Sequence, residues 1–385
     1  MTTHARTRRG RRALIIAGAA VLAAAVFGGG IALGAAQVGT TPGTATPPGT
    51  ATPPGTATPP DAATPASTPL TATQQLLQDS GDPNACAVSF TGEAITDAPA
   101  LESTGSRFLH LPIPAQDGRV FAGWYSTPEA AGAHDVASRV NGADAVTCGP
   151  ERELTLYGAW TTPDDLTATG TRVPILMYHQ FTDKPEGEEG WLRNNFYGVA
   201  DWQNDLAYIR DGGFYLPTWD ELAAFIDGRL LLPPRSVIIT DDDADPTWLN
   251  WAVPVVEQDQ LLTTSFVITS ARQDPTPSIW VQQRSHTHAM HEAGDNGKGR
   301  MVNWSEADIT ADLETSAQIL GAKEVIAYPY GHYNDTAKAG VAAAGFEMAV
   351  TTEWGYVTVG SDKLALPRVR MNWGMTVDDL AGLIG

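Results

Sequence analysis

Positive charge is scarce in this chain. Lys and Arg together number 24 against 44 Asp plus Glu, which leaves a formal net charge of −20 over 385 residues. That balance argues against nucleic acid and anionic lipid as partners, because both are bound through excess cationic side chains. Cysteine is scarcer still: the two present, Cys86 and Cys148, fall in one short stretch. In an exported chain such a pair suggests a disulfide, with a reduced, buried pair as the alternative. Large apolar residues are missing from a repeat, Gly-Thr-Ala-Thr-Pro-Pro, at 43–48, 49–54 and 55–60, so this stretch cannot build a core. Its proline pairs stiffen it toward polyproline II and make it a spacer.

What is there begins with Arg6, Arg8, Arg9, Arg11 and Arg12, followed by an uncharged run over 13–36. The run exceeds the roughly 20 residues that cross a bilayer as a helix. Gly34-Ala35-Ala36 also offers the small residues of a cleavage site. Residues 1–36 are therefore expected to be a signal peptide or a membrane anchor, and the rest to be secreted or held at the cell surface. After the spacer, taken as 37–80, a small β-rich module is expected over 81–161 and a larger domain over 170–385. With 43% hydrophobic residues and 11 Trp, the material for a core is ample.

Both cysteines lie in the small module. Arg119-Val120-Phe121-Ala122-Gly123-Trp124-Tyr125 and Leu154-Thr155-Leu156-Tyr157-Gly158-Ala159-Trp160 read as strands. They resemble the two ends of a Listeria–Bacteroides repeat, a β-rich module of bacterial surface proteins. Its aromatics read as core rather than as a sugar platform.

In the larger domain, strands are expected at 173–178, 237–240, 264–268, 325–328 and 348–351. Helices are expected at 248–257, 305–320, 335–344 and 377–384, and a capping box at Thr218-Trp219-Asp220-Glu221 opens another. Strands alternating with helices define an α/β fold with a mainly parallel sheet. The length suits a distorted (β/α) barrel of about seven units better than an open sheet.

The chemistry centres on Ser236-Val237-Ile238-Ile239-Thr240-Asp241-Asp242-Asp243-Ala244. A β-branched apolar run reads as a strand buried on both faces. Its acids fall at the C-terminal end, where parallel α/β folds keep their sites. Adjacent carboxylates repel, and a cation would relieve them; a solvated acidic turn is the plainer reading. Ser285-His286-Thr287-His288-Ala289-Met290-His291 adds three of the eight His. Imidazoles with a carboxylate make a usual Zn²⁺ set. His288 and His291 would share a helix face, whereas His286 and His291 would need a loop, and spacing alone does not choose.

With these residues together, 172–385 resembles the polysaccharide deacetylases, carbohydrate esterase family 4 or NodB-homology fold. The family's Thr-Phe-Asp-Asp-Gly motif falls on Thr240-Asp241-Asp242-Asp243-Ala244, and its downstream Pro on Pro254. The resemblance implies Asp242 as catalytic base and Asp243, His286 and His291 as ligands of a divalent metal, Zn²⁺ foremost, with Thr287 bracing the loop. Ser265-Phe266-Val267 matches the next strand. Ala327-Tyr328-Pro329-Tyr330-Gly331 matches the third motif, implying that the Tyr330 N–H stabilises an oxyanion. Leu176-Met177-Tyr178-His179 is similar to a motif of the poly-N-acetylglucosamine deacetylase subgroup and implies His179 as the acid. A usual C-terminal Leu-x-His is replaced by Met371-Asn372-Trp373-Gly374. Three further departures stand out: Asp241 for Phe, Ala244 for Gly, and Ala327 for the Arg that orients the base. Arg368 or Arg370 can take the place of that Arg, and the extra acid Asp241 would raise the pKa of Asp242 or hold a water. A second register would make Asp241 the base and Asp242 the ligand.

The implied activity is metal-dependent removal of acetyl groups from an N-acetylated envelope or extracellular glycan by a monomer, with Trp354, Trp373 and Tyr330 as candidates to stack on sugar. Two alternatives are a non-catalytic glycan-binding protein with a decayed site and an O-acetyl xylan esterase.

Overall fold

The computed structural model describes residues 69–271 and 278–385. The expected export segment and the Pro/Thr repeat lie outside the described residues. Of the stretch assigned to the spacer, Ala72–Ser80 is a helix, opened by a Thr71–Gln74 capping box and stopped at Gly81. Its Leu77 packs with Ala85 and Ala87. Among the described residues no helix is long and apolar enough to cross a membrane.

Seven parallel strands close into a barrel: Ile175–Tyr178, Ile238–Asp243, Thr263–Val267, Val281–Ser285, Val325–Ala327, Met348–Trp354 and Leu366–Arg370. Each pairs with the next in the chain, and the seventh pairs back with the first. Alternate residues separate onto two faces, as the twofold period of a strand demands. Ile175, Ile238, Phe266, Val325, Met348 and Leu366 share one. Leu176, Ile239, Val267 and Val369 share the other, with the helical residues Trp202, Leu206, Val256 and Leu380. The second strand is buried on both faces, which is why its sequence is a continuous apolar run.

The helices follow their sequence signals. Trp219–Ile226 carries the capping box, and Glu306–Leu320 is capped by Ser305 and ended by left-handed Gly321. The helix expected over 248–257 is divided: a wide π turn, Trp248–Ala252, precedes an α-helix, Val253–Asp259. Pro254 sits at that junction and has no N–H to continue the regular ladder. Two elements had no clear signal. Val281–Ser285 reads Val-Gln-Gln-Arg-Ser, with neither alternation nor an apolar run, and Val199–Asp211 is a helix opened by Gly198 without a side-chain cap.

The small module is a four-stranded sheet in the order Ala100–Ser103, Ala85–Thr91, Glu153–Thr161, Val120–Tyr125. Cys86 and Cys148 form a disulfide with a Cα–Cα distance of 5.9 Å. Trp124 and Trp160 are buried, and each indole N–H donates to a backbone carbonyl, of Pro112 and Glu93 respectively. The sheet packs against the barrel and is tied to the segment that leads into its second strand. The Phe121 N–H donates to Arg229 O, the Leu231 N–H donates to Phe121 O, and Phe121, Trp124 and Val120 share one cluster with Ile175, Ile238 and Met348. Those barrel residues lie at the N-terminal ends of their strands, so the sheet covers that end and leaves the C-terminal end open for chemistry.

Candidate metal centre and catalytic carboxylate

Asp242 and Asp243 end the second strand and part there. Thr240 and Asp242 share the interior face, where both meet Arg368 from the seventh strand. Arg368 Nη1 and Nη2 each lie 2.7 Å from a different Asp242 oxygen, a bidentate pair. The guanidinium is itself held by Nε donating to Thr351 O at 2.7 Å. Burial opposes the charge on Asp242, but Arg368, with His286 and His179 behind it, holds the carboxyl down at about 2. The elevated pKa expected from a neighbouring acid is therefore absent. Arg370 turns elsewhere, to Asn195 Oδ1 at 2.6 Å.

The backbone turns sharply at Asp243 (φ 78°) and Ala244 (φ 52°), both left-handed without being glycine. Thr287 (φ 69°) and Tyr330 (φ 60°) share this conformation on the facing loops. Strained residues of this kind persist where surrounding contacts over-determine them, commonly at functional sites.

That turn aims Asp243 Oδ1 at two imidazoles, with His286 Nε2 at 3.4 Å and His291 Nε2 at 3.1 Å. All three candidate ligand atoms lie within 4.8 Å of one another. Asp243 Oδ1 is buried and has no hydrogen-bond partner. A tetrahedral Zn²⁺ site with bonds of about 2.0–2.1 Å has ligand–ligand edges of about 3.3 Å, so the two measured separations and the donor set fit such an ion. Burial works against the charge on Asp243, yet the imidazoles hold it well below the usual carboxylate range. His286 Nδ1 lies 2.9 Å from Ala327 O. A carbonyl only accepts, so Nδ1 carries the proton and the Nε2 lone pair is free for a metal. Position 327 thus contributes a main-chain carbonyl, and the side chain missing there is supplied from the seventh strand.

His288 is not part of this group; its Nδ1 meets Thr269 Oγ1 at 3.0 Å. The loop that turns His288 away and brings His291 back is braced by Thr287, whose Oγ1 accepts the Met290 N–H. Asp312 braces it from the helix Glu306–Leu320, accepting the N–H groups of His288 and Ala289, each at 2.7 Å. Arg300 Nη1 donates to Ala289 O at 2.9 Å on the other side. Asp312 was not identified in the sequence, though a signal existed: it interrupts the buried stripe Ile309, Leu313, Ser316, Ala317.

His179 follows the first strand and brings Nε2 to 3.9 Å from Asp242 Oδ2. Burial pushes this imidazole below its ordinary pKa, against the pull of Asp242 and Asp243. Asp241 points to the opposite face from Asp242. It is fully buried, with Oδ2 3.5 Å from Ser265 Oγ. Burial first, then the charges of Asp242 and Asp243, push its carboxyl well up, toward the neutral form. Tyr330 lies beside the ligands, its ring 4.4 Å from that of His291 and its hydroxyl donating to His291 O. Gly331, with φ 70°, allows that turn, since a Cβ there would lie 2.0 Å from Thr352 Oγ1. Trp354 is 68% exposed at the end of the sixth strand, whereas Trp373 is half-buried against Gly187.

Residues 231–349 of the barrel domain match the family model of the polysaccharide deacetylases. Relatives include poly-beta-1,6-N-acetyl-D-glucosamine N-deacetylases of two staphylococci. The Staphylococcus aureus (strain MRSA252) protein is 30% identical over 159 residues, covering 36% of this chain and 54% of that protein. That of Staphylococcus epidermidis is 27% identical over 159 residues, covering 36% and 55%. The chain spans about half the length of these curated relatives. Among solved structures, the Streptococcus pyogenes deacetylase PplD in complex with acetate aligns with a TM-score of 0.48 at 22% identity, over 56% of this chain and 99% of that one.

Proposed function

We propose that this chain is a metal-dependent hydrolase that removes acetyl groups from an N-acetylated glucosamine polymer at the cell surface. The observation that carries the reading is the adjacency, at the open end of one barrel, of an Asp243–His286–His291 group and an Arg368-clamped Asp242. The names of the staphylococcal relatives support an N-linked acetyl group on a β-linked glucosamine chain as the substrate.

Asp243, His286 and His291 would hold the metal, which supplies Lewis acidity toward the acetyl carbonyl and acidifies water. Asp242, kept ionised and oriented by Arg368, accepts the proton of the attacking water. His179, neutral at rest and 3.9 Å from Asp242 Oδ2, takes up that proton and delivers it to the departing sugar nitrogen. The C–N bond then breaks to give acetate and a free amine. The Tyr330 N–H is the candidate donor to the carbonyl oxygen as it becomes anionic.

Acetate release from β-1,6- and β-1,4-linked N-acetylglucosamine oligomers, peptidoglycan and acetylated xylan, with added Zn²⁺ and with chelator, tests the reading. Release from an N-acetyl glycan that chelator abolishes is expected. Glycan binding without acetate release contradicts it, and preference for acetylated xylan redirects it to ester cleavage. His286→Ala should lower metal content and turnover together, while His288→Ala should leave metal content unchanged.

A further inference from the structure

At the N-terminal end of the barrel, where the small sheet meets it, lies a cavity of about 610 Å³. Two arginines line it from opposite sides, Arg107 from the small module and Arg284 from the fourth barrel strand. Arg107 is only 8% exposed, yet its Nε and Nη1 have no hydrogen-bond partner. Its guanidinium carbon lies 3.1 Å from the centroid of the Trp280 ring, a stack that sets its plane. Arg284 is 9% exposed. It spends Nη1 on Gln283 O and Nη2 on Glu324, and leaves Nε without a partner. Ser106 Oγ, on the same cavity, is also buried and without a partner. Four donor atoms of three residues that line one space thus have no hydrogen-bond partner among the described residues, and buried donors are costly unless an acceptor meets them.

The nearby acids do not fill that role. Glu324 is committed to Arg284, and Asp144, whose field reaches Arg107, accepts the Asn141 N–H instead. Glu102 stands on the cavity wall, where burial pushes its carboxyl up. Leu101, Leu109 and Ile279 supply an apolar side to the same space.

We propose that this cavity is an anion site, taking a carboxylate or phosphate group carried on a small, partly apolar molecule. Guanidinium donors match the oxygens of either group, and the Ser106 hydroxyl adds a further donor. The fourth strand runs from Val281 at the cavity to Ser285, next to His286. The cavity runs along that strand as far as Arg284, and none of Asp242, Asp243, His286 and His291 lines it, so it is a separate site from the metal centre. An anion there would join the small sheet to the barrel through one ligand.

Calorimetric titration of the full chain with inorganic phosphate and, separately, with octanoate, at ionic strength balanced by chloride, tests this. At least one anion should bind, and Arg107→Met should weaken it tenfold or more. Ser103→Glu places a carboxylate on the exposed wall without disturbing the core and should weaken binding similarly. Binding of phosphate alone assigns the site to a phosphate group, and binding of octanoate alone to a carboxylate with an apolar tail. No binding of either anion overturns the proposal, as does unchanged affinity in folded Ser103→Glu. If Arg107→Met does not fold, Ser103→Glu decides.

Discussion

Arg368 and Asp242 meet inside the barrel through two parallel hydrogen bonds of 2.7 Å, joining the seventh strand to the second. The pair is buried and fixes both the charge and the direction of the carboxylate. Lysine offers one compact ammonium in place of a planar fork. Arg368→Lys should therefore retain metal and lower kcat by about 10²-fold, the scale of a 1 Å misplacement. Arg368→Ala leaves a buried charge unpaired and should destabilise the fold by about 3–5 kcal/mol. With the guanidinium gone, only His286 and His179 still oppose the effect of burial on Asp242, so the acid limb of the pH–rate profile should move to higher pH. Steady-state kinetics, metal analysis and urea unfolding of the two variants check these outcomes.

Asp312 touches no candidate ligand side chain, yet it receives two N–H groups from the loop between His286 and His291. Asp312→Ala should loosen that loop and weaken metal affinity by about 10–100-fold, as outer-shell changes do. At saturating metal, kcat should recover most of its value. Competition with a chromogenic chelator measures the affinity, and a metal-independent loss of kcat would contradict the positioning role.

Asp205 is buried, accepting from Tyr178 and Tyr197 through Oδ2 while Oδ1 has no partner. Burial pushes its carboxyl up to about 6, with Asp201 and Asp379 adding in the same direction against the two tyrosine hydrogen bonds. The folded state then holds this proton more tightly than the unfolded state, so stability rises as pH falls from above about 6 toward 4. The difference is on the order of 2–3 kcal/mol. Asp205→Asn should flatten this part of the stability–pH curve in urea titrations between pH 8 and 5. A parallel slope in wild type and variant would show that other groups control it.

Much of the barrel was legible because its signals are local. The run at 237–239, the Thr218–Glu221 capping box and the Ser305-to-Gly321 helix each combine periodicity with a cap. The fourth strand was not legible: its Gln282, Gln283 and Arg284 offer no hydrophobic pattern, and only pairing on both sides makes it a strand. At the site, the candidate ligand triad followed from a motif, but the partner of Asp242 was left between Arg368 and Arg370. Those two residues are two apart and share a face of one strand, so alternation does not separate them; their height along the strand does, with Arg368 level with Asp242 and Arg370 one step on, at Asn195. The role of Ala327 was equally hidden, because its contribution is a carbonyl that any residue supplies.

The sharpest test of the account is metal stoichiometry and acetate release measured together on Asp242→Asn and Asp241→Asn. The geometry separates the two acids: Asp242 faces Arg368, and Asp241 faces Ser265 on the other side of the strand. Asp242→Asn should fold, bind metal at wild-type stoichiometry, and lose about 10²–10⁴-fold in turnover, the usual cost of removing a general base. Asp241→Asn should keep both metal and most turnover. Weakened metal binding in Asp242→Asn, together with lost activity and retained metal in Asp241→Asn, would move both roles by one residue; near-normal turnover in Asp242→Asn would contradict the mechanism itself.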